Sequence, residues 1–394
     1  MCLALVRRLA APSLFATVLP ALAFDVNDKL SVGGLLAAAG QCQGVSALLP
    51  AEADDEIPDG TVESPGINSS MGAFHDGCRG GMPIQLEVSF HPDAANEFYA
   101  KLGFAAGNGL NPISPGVLAP WAADLEDDVQ DINGSGRDYL LAAWYKHTFT
   151  FADKGTLGAS FGLLDSTDYV DGNEYANDEY AQFMNEVFVN SGSYGLPSYA
   201  PGAALEWVSG PWSLNAVGMS IAENDDGNQF NFWGVQGGYR MESALGTGNY
   251  RVILAGASSA FPDPEGSTEE QRLAWGLSFD QAIDEEVGVF LRCAWQSQDA
   301  AVDYKALYSG GLSFNGAGWH RELDTIGLGY GYLEGGNLDI EHTHVLEAYY
   351  RLGLNDSLAL TADLQYMSDA RAQVDPVQQD PEGWVLGMRF TAEF

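Results

Sequence analysis

The sequence predicts an all-β protein, a transmembrane antiparallel β-barrel of about 16 strands with short periplasmic turns and long extracellular loops. Three observations predict it. The last stretch alternates without a fault, with Trp384, Leu386, Met388, Phe390, Ala392 and Phe394 on one side and Val385, Gly387, Arg389, Thr391 and Glu393 on the other. Beyond residue 23 no apolar run approaches the roughly 20 residues that a spanning helix requires, so a spanning chain must satisfy its backbone as a closed sheet. Short and long connections also take turns along the chain, as expected for the two sides of an outer membrane.

Taken in order, residues 1–23 read as a cleaved secretory signal, with Arg7 and Arg8, an apolar stretch from Phe15 to Leu22, and small residues at Ala21 and Ala23. Lipidation at Cys42 is disfavoured because Gln41 stands where a lipobox needs a small residue. Residues 24–394 then form a single outer-membrane barrel domain. Oily alternation marks strands near 28–37, 84–90, 96–104, 139–150, 156–163, 202–208, 212–221 and 232–242. It marks others near 248–257, 271–279, 287–296, 306–314, 323–332, 345–353, 358–366 and 384–394.

If the last strand runs toward the periplasm, the connections near 91–95, 151–155, 209–211, 243–247, 280–286 and 354–357 are periplasmic, and all are short. Those near 38–83, 105–138, 164–201, 258–270 and 367–383 are extracellular and longer. Aromatics at strand ends (Tyr139, Phe149, Trp212, Tyr250, Trp295, Trp384) suit interfacial girdles.

Charge is lopsided, with 54 acidic against 17 basic residues and a formal net charge of −37. Nucleic acid is excluded as a partner. The carboxylates gather in non-alternating segments such as 51–60, 123–131 and 222–229, which places the excess on the rims. Solvation of the loops explains them; sharing divalent cations with outer-leaflet lipopolysaccharide is the sharper alternative. Besides lipid, the expected partners are small sugars and the barrel-assembly machinery, the latter through Phe394.

A barrel of this width leaves an aqueous channel, so selectivity resides in its lining. Strand parity turns Arg240, Arg251, Arg272, Arg292, Arg351 and Arg389 inward, with Glu87, Asp280, Glu347 and Asp363. Mixed charges of this kind suit polyhydroxylated neutral solutes, and aromatic faces stack on sugar rings.

Several long motifs carry a family resemblance. The block GLLDSTDYVDGNEYANDEYAQFMNEVFVNS at 162–191, LPSYAPGAALEW at 196–207, SFDQAIDEEVGVFLRCAW at 278–295 and HVLEAYYRLGLNDSLALTADLQYMSD at 344–369 resemble the OprB family of carbohydrate-selective porins. The resemblance extends over most of the mature chain. It implies passive uptake of monosaccharides or small oligosaccharides across the bacterial outer membrane, with extracellular loops narrowing the channel. By motif position Arg292, Glu347, Tyr350 and Gln365 match recurring residues of the family, as do Asp165, Asn173, Glu179 and Asn185 of the loop block. Cys293, Ala294 and Ala362 depart from its pattern, and the acidity is unusual for it. The sugar-binding, pore-lining candidates are therefore Arg272, Arg292, Glu347, Arg351 and Gln365. The loop-constriction candidates are Asp165, Asn173, Glu179 and Asn185.

Competing chemistry is weaker. GASFG at 158–162 matches a nucleophile pattern around Ser160, but it lies inside an alternating strand, where the required strand–turn–helix elbow has no place. DINGSG at 131–136 opens like a calcium loop, yet Ala142 stands where a bidentate glutamate is needed. His342 with His344, and His75 with Cys78, lack further ligands, so neither metal nor cofactor is expected. Two other functions stay open: a general diffusion porin without sugar preference, and an outer-membrane glycan-binding or hydrolytic barrel using loop carboxylates such as Asp178 and Glu179. Finally, Cys42 and Cys78 bracket the first long loop in an oxidising compartment and are expected to form a disulfide tethering it over the mouth. By parity Cys293 faces lipid.

Overall fold

A two-residue side-chain period gives each strand one face for lipid and one for the interior. The computed structural model describes residues 24–45, 76–114, 116–121, 125–372 and 380–394. The expected signal at 1–23 and the acidic stretch at 51–60 lie outside the described residues.

The strands in chain order begin with β1 (Phe24–Asn27), β2 (Leu30–Val45), β3 (Gly77–Gly81), β4 (Ile84–Asp93), β5 (Asn96–Phe104) and β6 (Leu140–Thr150). Then come β7 (Thr156–Leu164), β8 (Ala200–Ser209), β9 (Trp212–Ile221), β10 (Phe230–Glu242), β11 (Thr247–Pro262) and β12 (Glu269–Ala282). The series ends with β13 (Val287–Gln296), β14 (Tyr304–Asn315), β15 (Thr325–Gly335), β16 (Ile340–Asn355), β17 (Leu358–Arg371) and β18 (Glu382–Glu393). The only α-helix among the described residues is the four-residue α1 (Glu186–Val189).

From β4 onward each strand pairs antiparallel with its successor. Strand β18 pairs back onto β2, which closes the sheet and removes its edges. Strands β3 and β4 share one register against β2, Cys42 opposite Cys78 and Leu36 opposite Ile84, so they are two halves of one wall strand. The break falls at Met82 and Pro83, where proline has no N–H for the ladder. There Met82 exchanges backbone hydrogen bonds with Ala106 instead (2.9 and 3.2 Å). With β1 a short pairing on β2, the wall is a closed 16-strand antiparallel barrel.

The outer face is apolar and exposed, as on β18 with Trp384, Leu386 and Met388 and on β12 with Leu273 and Trp275. Its aromatics stack across strands, as Trp275 does on Trp295 (4.3 Å between centroids) and Phe104 on Tyr139 (5.2 Å). Free Cys293 is on this outer parity, between exposed Leu291 and half-buried Trp295.

Several strands outrun the alternation that predicts them. Strand β2 continues to Val45 and β3 begins at Gly77, because Gly40 and Gly44 on the outer face leave no oily pattern to read. The first extracellular loop is therefore shorter than 38–83. Residues 258–262 and 269–270 are also strand, leaving a turn at 263–268. One periplasmic connection, 316–324, is longer than its fellows; a 3-10 turn and the Arg321–Asp324 ion pair at 2.5 Å hold it. The Cys42–Cys78 disulfide is present. It joins directly opposed residues of β2 and β3 and so clamps a hairpin stem, rather than tethering the loop across the mouth.

Candidate functional site: the lumenal constriction

The narrow point begins with glycines. Along TIGLGYGYLEG, outward Leu328, Tyr330 and Tyr332 alternate with inward Gly327, Gly329 and Gly331, so β15 presents a groove to the lumen. A Cβ at Gly329 would meet the rings of Phe188 and Phe183 at 2.7 and 2.9 Å, and one at Gly331 would meet Val187 at 2.7 Å. The segment 165–199 enters the barrel and seats Phe183, Val187 and Phe188 there, against inward Phe290, Leu307, Leu333, Val345 and Tyr349. Phe183 meets Tyr349 edge-on with centroids 5.0 Å apart. Each fully buried aliphatic or aromatic side chain contributes roughly 1.5–3 kcal/mol, so this face fastens the segment to one side of the bore.

Polar anchors fix its register. Arg292 of β13 is fully buried and bonds Asp171 Oδ1 at 2.8 Å through Nε. Its other nitrogens donate to the carbonyls of Phe188 (3.0 Å), Ala176 (3.0 Å) and Asp171 (3.2 Å). Burial raises the Asp171 carboxyl pKa, and the Arg292 charge opposes that rise. Glu347 of β16 accepts from the backbone N–H of Met184 (2.5 Å) and Asn185 (2.9 Å). Asn185 caps α1 through its Oδ1 and donates to Gln365 Oε1 at 3.0 Å. Arg389 of β18 donates to the carbonyls of Glu179 and Gln182. Asn173 reaches Ser278 Oγ and the Phe279 carbonyl, both at 3.2 Å.

A second loop lies over the first. Gln365 and Gln41 both donate to the Pro120 carbonyl, at 2.9 and 3.2 Å, and Trp121 Nε1 donates to that of Glu179 at 3.2 Å. Two wall strands on from β18, Gln85 of β4 approaches Tyr180 Oη at 3.5 Å.

Less covered are the inward side chains in the middle of β4, β5 and β6. Inward Glu87 and Lys101 lie 3.5 Å apart, and inward Lys146 and Glu206 2.5 Å apart. Between these pairs the inward rings of Tyr99 and Trp144 stack, with centroids 4.9 Å apart and planes 21° off parallel, and both are only half-buried. The loop faces them with Asp165, whose Oδ1 accepts from Thr167 N and Oγ1 (3.0 and 2.7 Å), and with exposed Asp168. Enclosure within the barrel, then the neighbouring Asp165 charge, pushes Asp168 up to about 7 although its side chain meets lumenal water. Burial likewise pushes Glu179 up to about 7.

The structure therefore divides the candidates named from sequence. Arg292, Glu347 and Gln365 point inward but lie covered beneath the loop (0, 3 and 0 % exposed), and they hold backbone and side chains of the loop instead of lining the lumen. Arg272 sits far up β12 over the Phe261 ring (4.1 Å), and Arg351 lies at the periplasmic end, where it faces Thr325 and reaches the Leu323 carbonyl. Those two are not brought together with the rest. Asn173 and Asn185 are anchors, while Asp165 and Glu179 border the passage. Tyr99, Lys101, Trp144 and Lys146 are additions; their inward parity on 96–104 and 139–150 is the signal that identifies them.

Residues 125–394 match the family described as "Carbohydrate-selective porin, OprB family". A protein of Aquifex aeolicus (strain VF5), itself uncharacterised, is 30% identical over 321 residues, covering 80% of this chain and 90% of the relative. Porin AaxA of Chlamydia abortus is 25% identical over 289 residues, 68% of this chain and 62% of that protein. Among solved structures, Pseudomonas putida OprB at high pH superposes with a TM-score of 0.67 at 13% identity, over 93% of this chain and 94% of that one. The outer-membrane channel DcaP of Acinetobacter baumannii gives 0.54 at 11% identity, over 93% and 97%.

Proposed function

The chain belongs to the OprB family of carbohydrate-selective porins, channels of the bacterial outer membrane, and from that premise we propose that its sugar contacts lie on the half-buried rings and lysines of the β4–β8 wall and not on the buried arginine and glutamate beneath the loop. The observation that carries this reading is the half-buried Tyr99–Trp144 stack between two lysine–carboxylate pairs. A pyranose presents C–H edges to an aromatic face and hydroxyls around its rim, and lysine and carboxylate groups beside the rings can exchange hydrogen bonds with those hydroxyls. The solute class is monosaccharides and small oligosaccharides moving passively down their gradient. We assign it no catalytic step: of the Asp178–Glu179 pair, Asp178 serves loop structure, its Oδ1 accepting from Tyr180 N at 2.7 Å and Ala181 N at 3.1 Å. Outer-leaflet lipopolysaccharide around the aromatic girdle, and barrel-assembly machinery engaging β18, are the further partners of this reading.

The test is single-channel current in planar bilayers with glucose or maltose added. Wild-type current should show saturable sugar block, and Trp144→Ala should weaken it by about 5- to 10-fold, the scale of one lost stacking contact. Undiminished block in Trp144→Ala and Tyr99→Ala would remove the wall from the sugar path; unaltered current at every sugar concentration would favour a general diffusion pore.

A further inference from the structure

Charge in the passage is unequal. Five carboxylates border it: Glu87 and Glu206 on the wall, and Asp165, Asp168 and Glu179 on the loop. Lys101 and Lys146 stand among them, each already against a wall carboxylate, and Arg240 and Arg251 line the same cavity as Asp168 but are themselves paired with Glu242 and Asp280. Three carboxyl groups are left over on the loop side; Asp168 and Glu179, raised to about 7, are each about half charged at neutral pH. Among the described residues the ion pairs take up Lys101, Lys146, Arg240, Arg251, Arg292, Lys305 and Arg321, and none of these pairs includes Asp165, Asp168 or Glu179. Arg389, which also acts on Glu179, is fully buried under the loop, its guanidinium turned to backbone carbonyls. Lys101 is shared, acting at once on Asp165, Asp168 and Glu179 as well as on Glu87. Elsewhere Arg251 pairs with Asp280 at 2.5 Å and Arg240 with Glu242 at 2.9 Å, Arg272 sits on Phe261, and Arg351 lies at the periplasmic end against the Leu323 carbonyl.

We propose that this loop makes the channel cation-preferring, so that it passes neutral and amino-bearing sugars ahead of acidic sugars such as uronates and sugar phosphates, with Asp168 as the principal determinant. The proposal rests on the channel reading and specifies the charge of the solute. A polar wall open to water screens strongly, yet each uncompensated charge about 6 Å from a monovalent ion still changes its local concentration about threefold. The excess acts on one side of a narrow passage, within a Debye length of any solute that fits. It also explains how stacking and charge divide their work: the rings orient the pyranose, and the loop carboxylates sort by sign.

The test reads ion permeability first and sugar second, on the signal-free chain refolded into planar bilayers. In a tenfold KCl gradient we expect K⁺ to permeate over Cl⁻ by about fivefold or more. Asp168→Asn should lower that ratio about twofold to threefold, and Lys101→Gln should raise it, two changes of opposite sign that a general loss of folding cannot mimic. Glucosamine should block more tightly than glucose, and glucuronate more weakly. A sugar-blockable current that favours Cl⁻, or a ratio that neither substitution moves, overturns the inference and leaves the porin reading intact. A correctly folded barrel that conducts nothing overturns both.

Discussion

Replacing Arg292 with methionine tests whether the constriction is held from beneath. Arg292 and Asp171 are both fully buried, 2.8 Å apart, and the guanidinium also satisfies carbonyls of Phe188, Ala176 and Asp171. Methionine fills much of the same volume but supplies no donor, which strands a buried carboxylate and several carbonyls in the loop. Breaking a buried pair on one side costs about 3–5 kcal/mol. At about 1.4 kcal/mol per decade, that shifts the balance between docked and released loop by roughly 150- to 5,000-fold. A loop docked mainly through its Phe183–Phe188 face then spends measurable time away from the wall. In planar bilayers the Arg292→Met channel should show larger and noisier conductance and weaker sugar block, while the barrel still migrates as a folded, heat-modifiable species on electrophoresis. Conductance and block equal to wild type in a folded Arg292→Met barrel would refute the assignment of Arg292 as an anchor. Arg292→Met/Asp171→Leu should recover part of the loss, because it removes the orphaned charge along with its partner.

Other expectations follow from the same geometry. Gly329→Leu puts a branched side chain where the Phe183 and Phe188 rings sit, so it should expel the loop and raise conductance about as far as Arg292→Met, whereas Gly310→Leu, on the outer face, should not. Removing the Cys42–Cys78 link, which spans 36 residues, should lower stability by about 2–4 kcal/mol in urea titrations of refolded barrel, with little change in current. The pH dependence has a definite sign. Asp168, raised by burial and then by Asp165, faces Lys101, Glu87 and Glu206 as well; Glu179, raised by burial, faces Tyr180, Asp178, Arg389 and Lys101. A carboxyl raised to about 7 is largely protonated at pH 6 and charged at pH 8, so cation preference should grow across that interval; a permeability ratio that is flat or falls from pH 6 to 8 contradicts it.

The barrel was legible because a period-two pattern is written into each strand independently. Trp384 to Phe394 declares its lipid face with no reference to any other segment, and parity then assigns Arg292, Glu347 and Arg389 to the inside. The purpose of those inward groups was not legible. Arg292 meets Asp171 across 121 residues, and Glu347 meets Met184 across 163. Nothing local to either strand announces that a loop will settle on it. The clue was distributed: the apolar run Phe183, Met184, Val187 and Phe188 in a loop rich in acidic and amide residues, and glycines at every inward position from Gly327 to Gly331. Small residues on one surface and bulky ones on another are complementary, but only the fold says they meet. Strand ends were misjudged for a related reason, since Gly40 and Gly44 extend the sheet without displaying the oily face that reveals it.

The glycine groove of β15 has a consequence for how such a pore can change. Seating Phe183, Val187 and Phe188 on that groove makes the narrowing of the channel and much of its interior packing the same set of contacts. A lineage under pressure for a wider bore must give up part of the packing that keeps its barrel folded, so width is conserved by stability even where permeability alone would favour change. The β4–β8 wall is under no such constraint. Among its inward side chains Tyr99, Lys101 and Lys146 lie outside the packed clusters, so solute preference can drift there by single substitutions while the architecture stays still.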